Sequence, residues 1–331
     1  MAFRLIEVVL PKEKKEETDK LLNEFNVMDY EYDESSETYL KFNIIVEQNK
    51  SEKLLEILQK RYSKLENFRI IILPIETFIP IPEDDKNNEE VENPQGRISR
   101  EEIYTKVSEM SELSKIYMIL VAASAFVASI GLINDDVAVI IGAMIITPLI
   151  GPSIGLALAN VMGNKKFAYN AIKTNLIGIL LASIISIIMG IIFTINPQNP
   201  SIVLRTDVAR GSFFLALASG LAGSLAVTSG LTSAFVGVMI AVALLPPLAA
   251  FGLLLGSGNY ILAFGAFLLF CVNFVCINLT ATISFIVQKI EPLKDEALET
   301  AKIMRRRSLI IWILLLIILY GIITLQRTLN I

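Results

Sequence analysis

Histidine is absent from the 331 residues, cysteine occurs twice and tryptophan once. Without histidine there is no Ser-His dyad, no His-ligated zinc and no His-ligated haem. Cys271 and Cys276 fall in one apolar run, which predicts packed free thiols and no disulfide framework. No P-loop occurs, so direct drive by ATP is not encoded. The adjacent Asp135 and Asp136 sit at the end of an apolar run and do not form the separated carboxylate pair of an intramembrane acid protease. The N-terminal MAFRLIEVVLPKEKKEE has too short an apolar run for a signal peptide, and no removable leader is expected. Neither an enzyme, a cofactor nor a metal site is expected.

The chain does have long hydrophobic runs. Hydrophobic residues make up 53% and charged residues 19%, and the mean hydropathy is +0.59. These averages join two unlike parts, a highly charged segment of 115 residues and a remainder built from apolar runs. Runs of about 20 residues cross a hydrocarbon core of about 30 Å as helix. This predicts an α-helical polytopic membrane protein whose first partner is the lipid bilayer. The net charge is -4 and basic residues sit near span ends, so no nucleic-acid partner is expected.

Residues 1–80 read β-α-β-β-α-β, an α+β ferredoxin-like sandwich. Its expected use is structural, pairing with a second copy or binding a ligand. An acidic linker, 81–98, carries EDDKNNEEVEN, and an amphipathic juxtamembrane helix at 99–115 starts with a capping box, Ser99 and Glu102. Seven spans are predicted, at 116–133, 137–161, 171–195, 211–228, 234–255, 260–287 and 309–325. The sixth is long enough to tilt, or to be interrupted near Asn273 and Asn278. The lysines and arginines of the short loops predict a cytoplasmic N-terminus and an outside C-terminus in a cell membrane.

The second span contains Pro148, Gly151 and Pro152 in its middle. A gapless shift of 95 residues lays Val137–Asn164 on Thr232–Asn259, where Gly142, Met144, Ile145, Leu149, Pro152, Leu158, Gly163 and Asn164 meet identical residues. Leu120, Ala123, Ser124 and Ser129 likewise meet Leu215, Ala218, Ser219 and Ser224. This is an internal repeat. Three spans per unit, at 116–195 and 211–287, put the second unit into the membrane from the opposite side. Inverted repeats with broken second helices are a recurrent construction in secondary transporters.

Pro148 and Pro152 are expected to release carbonyls in the second span, and Pro246 and Pro247 those of Val242 and Ala243 in the fifth. Half-helices restarting at Ser153 and Leu248 would offer amide donors to an anion. The expected pathway or site is Thr147, Pro148, Gly151, Pro152, Ser153, Pro246 and Pro247, for a monovalent ion or small solute. The intramembrane amides Asn175, Asn273 and Asn278 are secondary candidates, as site-lining groups or as links between helices. Two kinked helices packed through glycines, including Gly151 and Gly155, would give the same pattern. The small-residue run SGLAGS at Ser219–Ser224 predicts close packing within or between subunits, and a homo-oligomer is expected. A membrane-anchored sensor or scaffold is the other function class compatible with the chain.

Gly142, Ala143, Met144, Pro148, Gly151 and Pro152, with SREEIY at Ser99–Tyr104, also resemble the hallmark of a prokaryotic integral membrane family, domain of unknown function three-eight-nine. The resemblance covers about 99–290 and implies fold kinship. It implies no activity and no catalytic residue.

Overall fold

The computed structural model describes residues 3–25, 27–33, 38–75, 97–208, 210–230, 233–292 and 295–328. They form two compact units, Met1–Ile103 and Tyr104–Ile331. The hairpin loop expected at 33–37 lies almost wholly, and the acidic linker up to residue 96 wholly, outside the described residues.

In the first unit the order is β1 (Phe3–Pro11), α1 (Lys15–Phe25), β2 (Asp29–Asp33), β3 (Tyr39–Glu47), α2 (Gln48–Tyr62) and β4 (Arg69–Ile75). The strands make one antiparallel sheet in the order β2-β3-β1-β4, the split arrangement expected of a ferredoxin-like sandwich. Alternation along β1 and β3 puts Ile6, Val8, Leu10, Phe42 and Ile44 on one face, in a core with Leu21 and Leu22 of α1 and Leu54, Leu55 and Leu58 of α2. Ile71 and Leu73 of β4 are exposed. The segment entering the membrane part is tied to this unit by Arg4, whose Nε donates to Glu102 Oε1 at 2.9 Å. Glu102 N–H donates to Ser99 Oγ at 3.3 Å, so half of the expected capping box forms.

Helix α3 (Arg100–Met110) leads into α4 (Lys115–Ile133), α5 (Val137–Ile146), α6 (Ile150–Met162) and α7 (Lys165–Ile192). A short α8 (Pro200–Val203) precedes α9 (Arg210–Thr228), α10 (Ser233–Gly256), α11 (Tyr260–Val287) and α12 (Asp295–Thr328). Among the described residues five helices are long and apolar enough to cross a membrane, or six if α5 and α6 count as one span. The sixth predicted span, α11, is uninterrupted, and α12 begins 14 residues before the predicted seventh span. Cys271 and Cys276 are free.

Two contacts fix the direction of packing. Tyr117 Oη donates to Thr174 O, and Ser129 and Ser186 hydroxyls bond at 3.2 Å, both with a sequence offset of 57. Helices α4 and α7 therefore run parallel, with α5 and α6 returning between them. A Cβ at Gly256 would lie 2.3 Å from Ile187 O, so α10 ends where α4 and α7 end. The loop before α9 is held at that same end. Asn199 Nδ2 donates to Ile133 O at 2.8 Å, and Ser201 N–H donates to Asp135 Oδ1 at 2.8 Å.

Helix ends repeat as well. Adding 95 to Lys115–Ile133 gives Arg210–Thr228, and adding 95 to Lys165–Ile192 gives Tyr260–Val287, the bounds of α9 and α11. The left-handed glycines Gly163 and Gly258 are also 95 apart, and so are the left-handed Asp135 and Gly230.

The bonds from Ser201, helped by Arg205, hold the Asp135 carboxyl below its ordinary value. A depressed acid contributes stability above the unfolded pKa and loses it as pH falls through the folded one. Asn tolerates the left-handed backbone of Asp135. The difference in Tm between wild type and Asp135→Asn should therefore be constant from neutral pH to about pH 5 and shrink below about pH 4. A difference that persists unchanged to about pH 2 would refute this carboxylate contribution.

Candidate functional site

The break in the second span begins with Pro148. The residue before a proline is pushed out of the helical region, and Thr147 is extended, at φ -73° and ψ 128°. Helix α5 therefore stops at Ile146, and α6 resumes at Ile150 with a bend of 47°. The restart comes three residues earlier than the expected Ser153, because Pro152 sits in the first turn, where its missing N–H costs nothing. Thr147 N–H still reaches Ala143 O at 3.2 Å. The last carbonyls of α5, from Met144 to Ile146, have no helical donor, since Pro148 offers none and the helix has ended.

The expected break at Pro246 and Pro247 does not form. Helix α10 runs continuously from Ser233 to Gly256 through both prolines, and no half-helix restarts at Leu248. At the break the 95-residue shift lays Pro152 on Pro247 but puts Ala243 where Pro148 stands. Both prolines are buried, and α10 packs against α4, α5, α7, α9 and α11. Packing on all sides holds a helix that has lost the donors of Pro246 and Pro247.

At 1.5 Å per residue, Thr147 lies about 15 Å along α5 from Val137, and Pro246 about 15 Å along α10 from Gly256. Both starting points are at the same end of the bundle, so the two positions are about halfway through a core of about 30 Å. From there the break descends toward the Lys115 end. A Cβ at Gly178 would meet Leu149 Cδ2 at 2.9 Å and Tyr117 Oη at 2.2 Å, near the start of α4.

Polar groups gather along this descent. Thr147 is 3% exposed and its Oγ1 has no partner among the described residues. Ser153, fully buried, donates to Asn175 Oδ1 at 3.1 Å. Asn175 Nδ2 is also buried without a partner. Turning the amide over exchanges the roles, and one of its two atoms stays unpaired either way. Buried polar groups are nearly always paired, with protein or with ordered water, and these two atoms beside a broken helix stand out for that reason.

Other predicted residues serve packing. A Cβ at Gly151 would lie 2.0 Å from Met110 O, and one at Gly155 would lie 2.1 Å from Ser111 Oγ. Ser111 Oγ bonds Gly151 O at 2.9 Å. At the other end of α6, Asn164 Nδ2 donates to Tyr104 Oη, and the Tyr104 ring meets Phe167 edge-on. The juxtamembrane segment from Tyr104 to Ser111 thus lies antiparallel along α6, an outcome its amphipathic pattern alone did not single out. On α11, Asn278 Nδ2 donates to Phe274 O of its own helix and leaves Oδ1 unpaired, and Asn273 is 6% exposed. No described contact brings either to the break. The SGLAGS run packs within the chain, where a Cβ at Gly220 would meet Thr280 Oγ1 at 2.1 Å.

Sequence reasoning missed Arg305. Its Nε donates to Val161 O at 2.9 Å in the last turn of α6, and Nη2 donates to Ile290 O at 3.2 Å just beyond α11. Nη1 bonds Glu291 Oε1 at 2.9 Å. The run Arg305–Arg307 was legible as a topology signal, but nothing in it marks which arginine turns inward. Among the described residues no group of three or more Cys, Asp or Glu could hold a metal ion.

The family described as a domain of unknown function, DUF389, matches residues 144–279. An uncharacterized protein of Methanocaldococcus jannaschii is 36% identical over 324 residues, covering 98% of this chain and 99% of its own. The chain belongs to the DUF389 family. The match begins at Met144 and ends at Leu279, so it takes in the broken span, α7, α9, α10 and most of α11. Neither finding assigns an activity to DUF389. No solved structure matches the chain.

Proposed function

We propose that this DUF389 protein is a channel or secondary transporter for a monovalent ion or small solute, with its pathway along the broken span. The observation that carries the reading is a pair of polar groups that are buried and unpaired among the described residues, Thr147 Oγ1 next to the released carbonyls and Asn175 Nδ2 beside Ser153 of the resumed helix. A hydroxyl, an amide and carbonyls are neutral ligands suited to a weakly bound, exchangeable ion or polar solute. Ser153 positions Asn175, and Pro148 and Pro152 hold the break open. Pro246 and Pro247 belong to the facing wall, as a helix weakened in its hydrogen bonding and not as a second break.

The two three-span units are inverted repeats in this reading, supported by helix ends and left-handed residues displaced by 95 positions. The N-terminus is cytoplasmic, the C-terminus outside, and the protein is a non-enzymatic oligomer in the cell membrane. A sensor or scaffold role is favoured by the exposed Ile71 and Leu73 of edge strand β4, at 47% and 42% among the described residues.

Reconstituted protein tests the pathway by flux of monovalent cations, small anions and neutral solutes. Thr147→Val removes an orphaned hydroxyl without changing volume, so stability should hold or rise while flux falls about tenfold, the loss of a contact worth about 1.4 kcal/mol. Asn175→Leu should lower flux at least as much. Native-level flux in both folded variants, or no flux of any tested solute through folded native protein, would overturn the assignment.

A further inference from the structure

A cavity of about 440 Å³ lies between α6, α7, α11 and α12, at the Lys115 end of the bundle, where Thr174 meets Tyr117. Its size is that of a small-molecule site. Its wall is apolar, with Ile172, Leu176, Phe274, Ile311 and Trp312 among its residues. Ile172, Leu176 and Ile311 are also 44%, 55% and 54% exposed on the surface of apolar spans, so the cavity opens sideways toward lipid. An occupant enters from the bilayer.

One charged residue, Arg307, lines the cavity. Arg305 two positions earlier is occupied by Val161, Ile290 and Glu291. Arg307 has no acidic partner among the described residues. Ser308 lies beside it and is buried, its Oγ accepting from Asn160 Nδ2 at 3.2 Å. Deeper in, Trp312 Nε1 is buried and has no partner among the described residues. An unneutralised cation at the polar end of an apolar, laterally open crevice complements an amphiphile with a negative head and an apolar tail.

We infer that this crevice is a specific site for an anionic phospholipid of the leaflet at the arginine end. The phosphate sits on the Arg307 guanidinium, and one acyl chain lies along Leu176, Ile311 and Trp312. Asn175 of the proposed pathway also lines this crevice, but the lipid assignment rests on Arg307 and Trp312, and its test reads lipid retention and not flux, so the two readings fail separately.

The test uses the full chain in mild detergent, with native mass spectrometry after addition of phosphatidylglycerol or phosphatidylcholine. Wild type should retain one phosphatidylglycerol per chain under activation that strips phosphatidylcholine, with a preference of about fivefold or more. Arg307→Gln, an exposed substitution expected to leave the lipid-free Tm unchanged, should reduce phosphatidylglycerol retention to the phosphatidylcholine level. Leu176→Trp, which fills the crevice, should abolish retention of both. Equal retention of the two lipids by wild type, or undiminished phosphatidylglycerol retention in either folded variant, would overturn the assignment.

Discussion

Gly151→Ala should destabilise the membrane unit by about 2–4 kcal/mol, the sum of an overpacked contact and a lost buried hydrogen bond. The new methyl would lie 2.0 Å from Met110 O and 2.7 Å from Met110 C. Those are backbone atoms, so trimming the neighbour cannot relieve the clash. Met110→Ala should not rescue the variant. The segment from Tyr104 to Ser111 must move off α6 instead, and the bond from Ser111 Oγ to Gly151 O breaks.

Gly155→Ala makes the useful contrast. Its methyl would meet Ser111 Oγ at 2.1 Å and Ser111 Cβ at 2.9 Å, both side-chain atoms. Ser111→Gly removes both and should recover part of the lost stability. Gly142→Ala, with nothing within 4 Å of the new methyl, should be neutral or stabilise by up to about 1 kcal/mol through helix propensity. Denaturant titration of the three single variants and two double variants in micelles reads all of this. Equal effects at 142 and 151, or rescue of Gly151→Ala by Met110→Ala, would refute the packing assignment.

Arg305→Ala should cost about 2–4 kcal/mol, for the loss of two part-buried charge-assisted hydrogen bonds to helix-end carbonyls, the exposed ion pair to Glu291 adding little. The Arg305 side chain is 15% exposed, and its loss strips donors from Val161 O in the last turn of α6 and from Ile290 O beyond α11. Both carbonyls sit at or just past helix C-termini, where a cation is also favoured by the helix dipoles. Lysine keeps the charge but cannot present three diverging N–H groups in one plane. Arg305→Lys should recover less than half of the lost stability. A loss below about 1 kcal/mol for alanine, or full recovery by lysine, would show that the network is a surface ornament of the kind worth little. Arg307→Gln in the same titration is the control, since Arg307 makes none of these bonds.

The spans and the sandwich were legible because their signals are local. An apolar run of span length has one solution in lipid, and alternation along Phe3–Pro11 and Tyr39–Glu47 has one face to bury. The break at Thr147 was legible for the same reason, since Pro148 constrains the residue before it whatever lies around it. The 95-residue shift was visible in identities along the second and fifth spans and in a few along the first and fourth. In the third and sixth spans only the helix bounds, Lys165–Ile192 and Tyr260–Val287, show the same displacement.

The fate of Pro246 and Pro247 was not legible. A proline always removes a donor, but whether the helix breaks depends on the packing that holds it, and α10 has neighbours on all sides. The roles of Gly151 and Arg305 were hidden likewise, because each is defined by a partner on another helix far along the chain, Met110 in one case and Val161 in the other.

The sequence by itself determined that this chain is a multi-pass membrane protein with a small α+β unit before it, no histidine chemistry and a span that must be interrupted at Pro148. Those properties follow from length, periodicity and the covalent geometry of proline, which act over a few residues. Only the tertiary structure decided that one of the two proline-bearing spans stays whole, that the segment from Tyr104 to Ser111 lies along α6, and that Thr147 and Asn175 keep polar atoms buried and unpaired among the described residues. Those outcomes are set by which surfaces meet across the bundle.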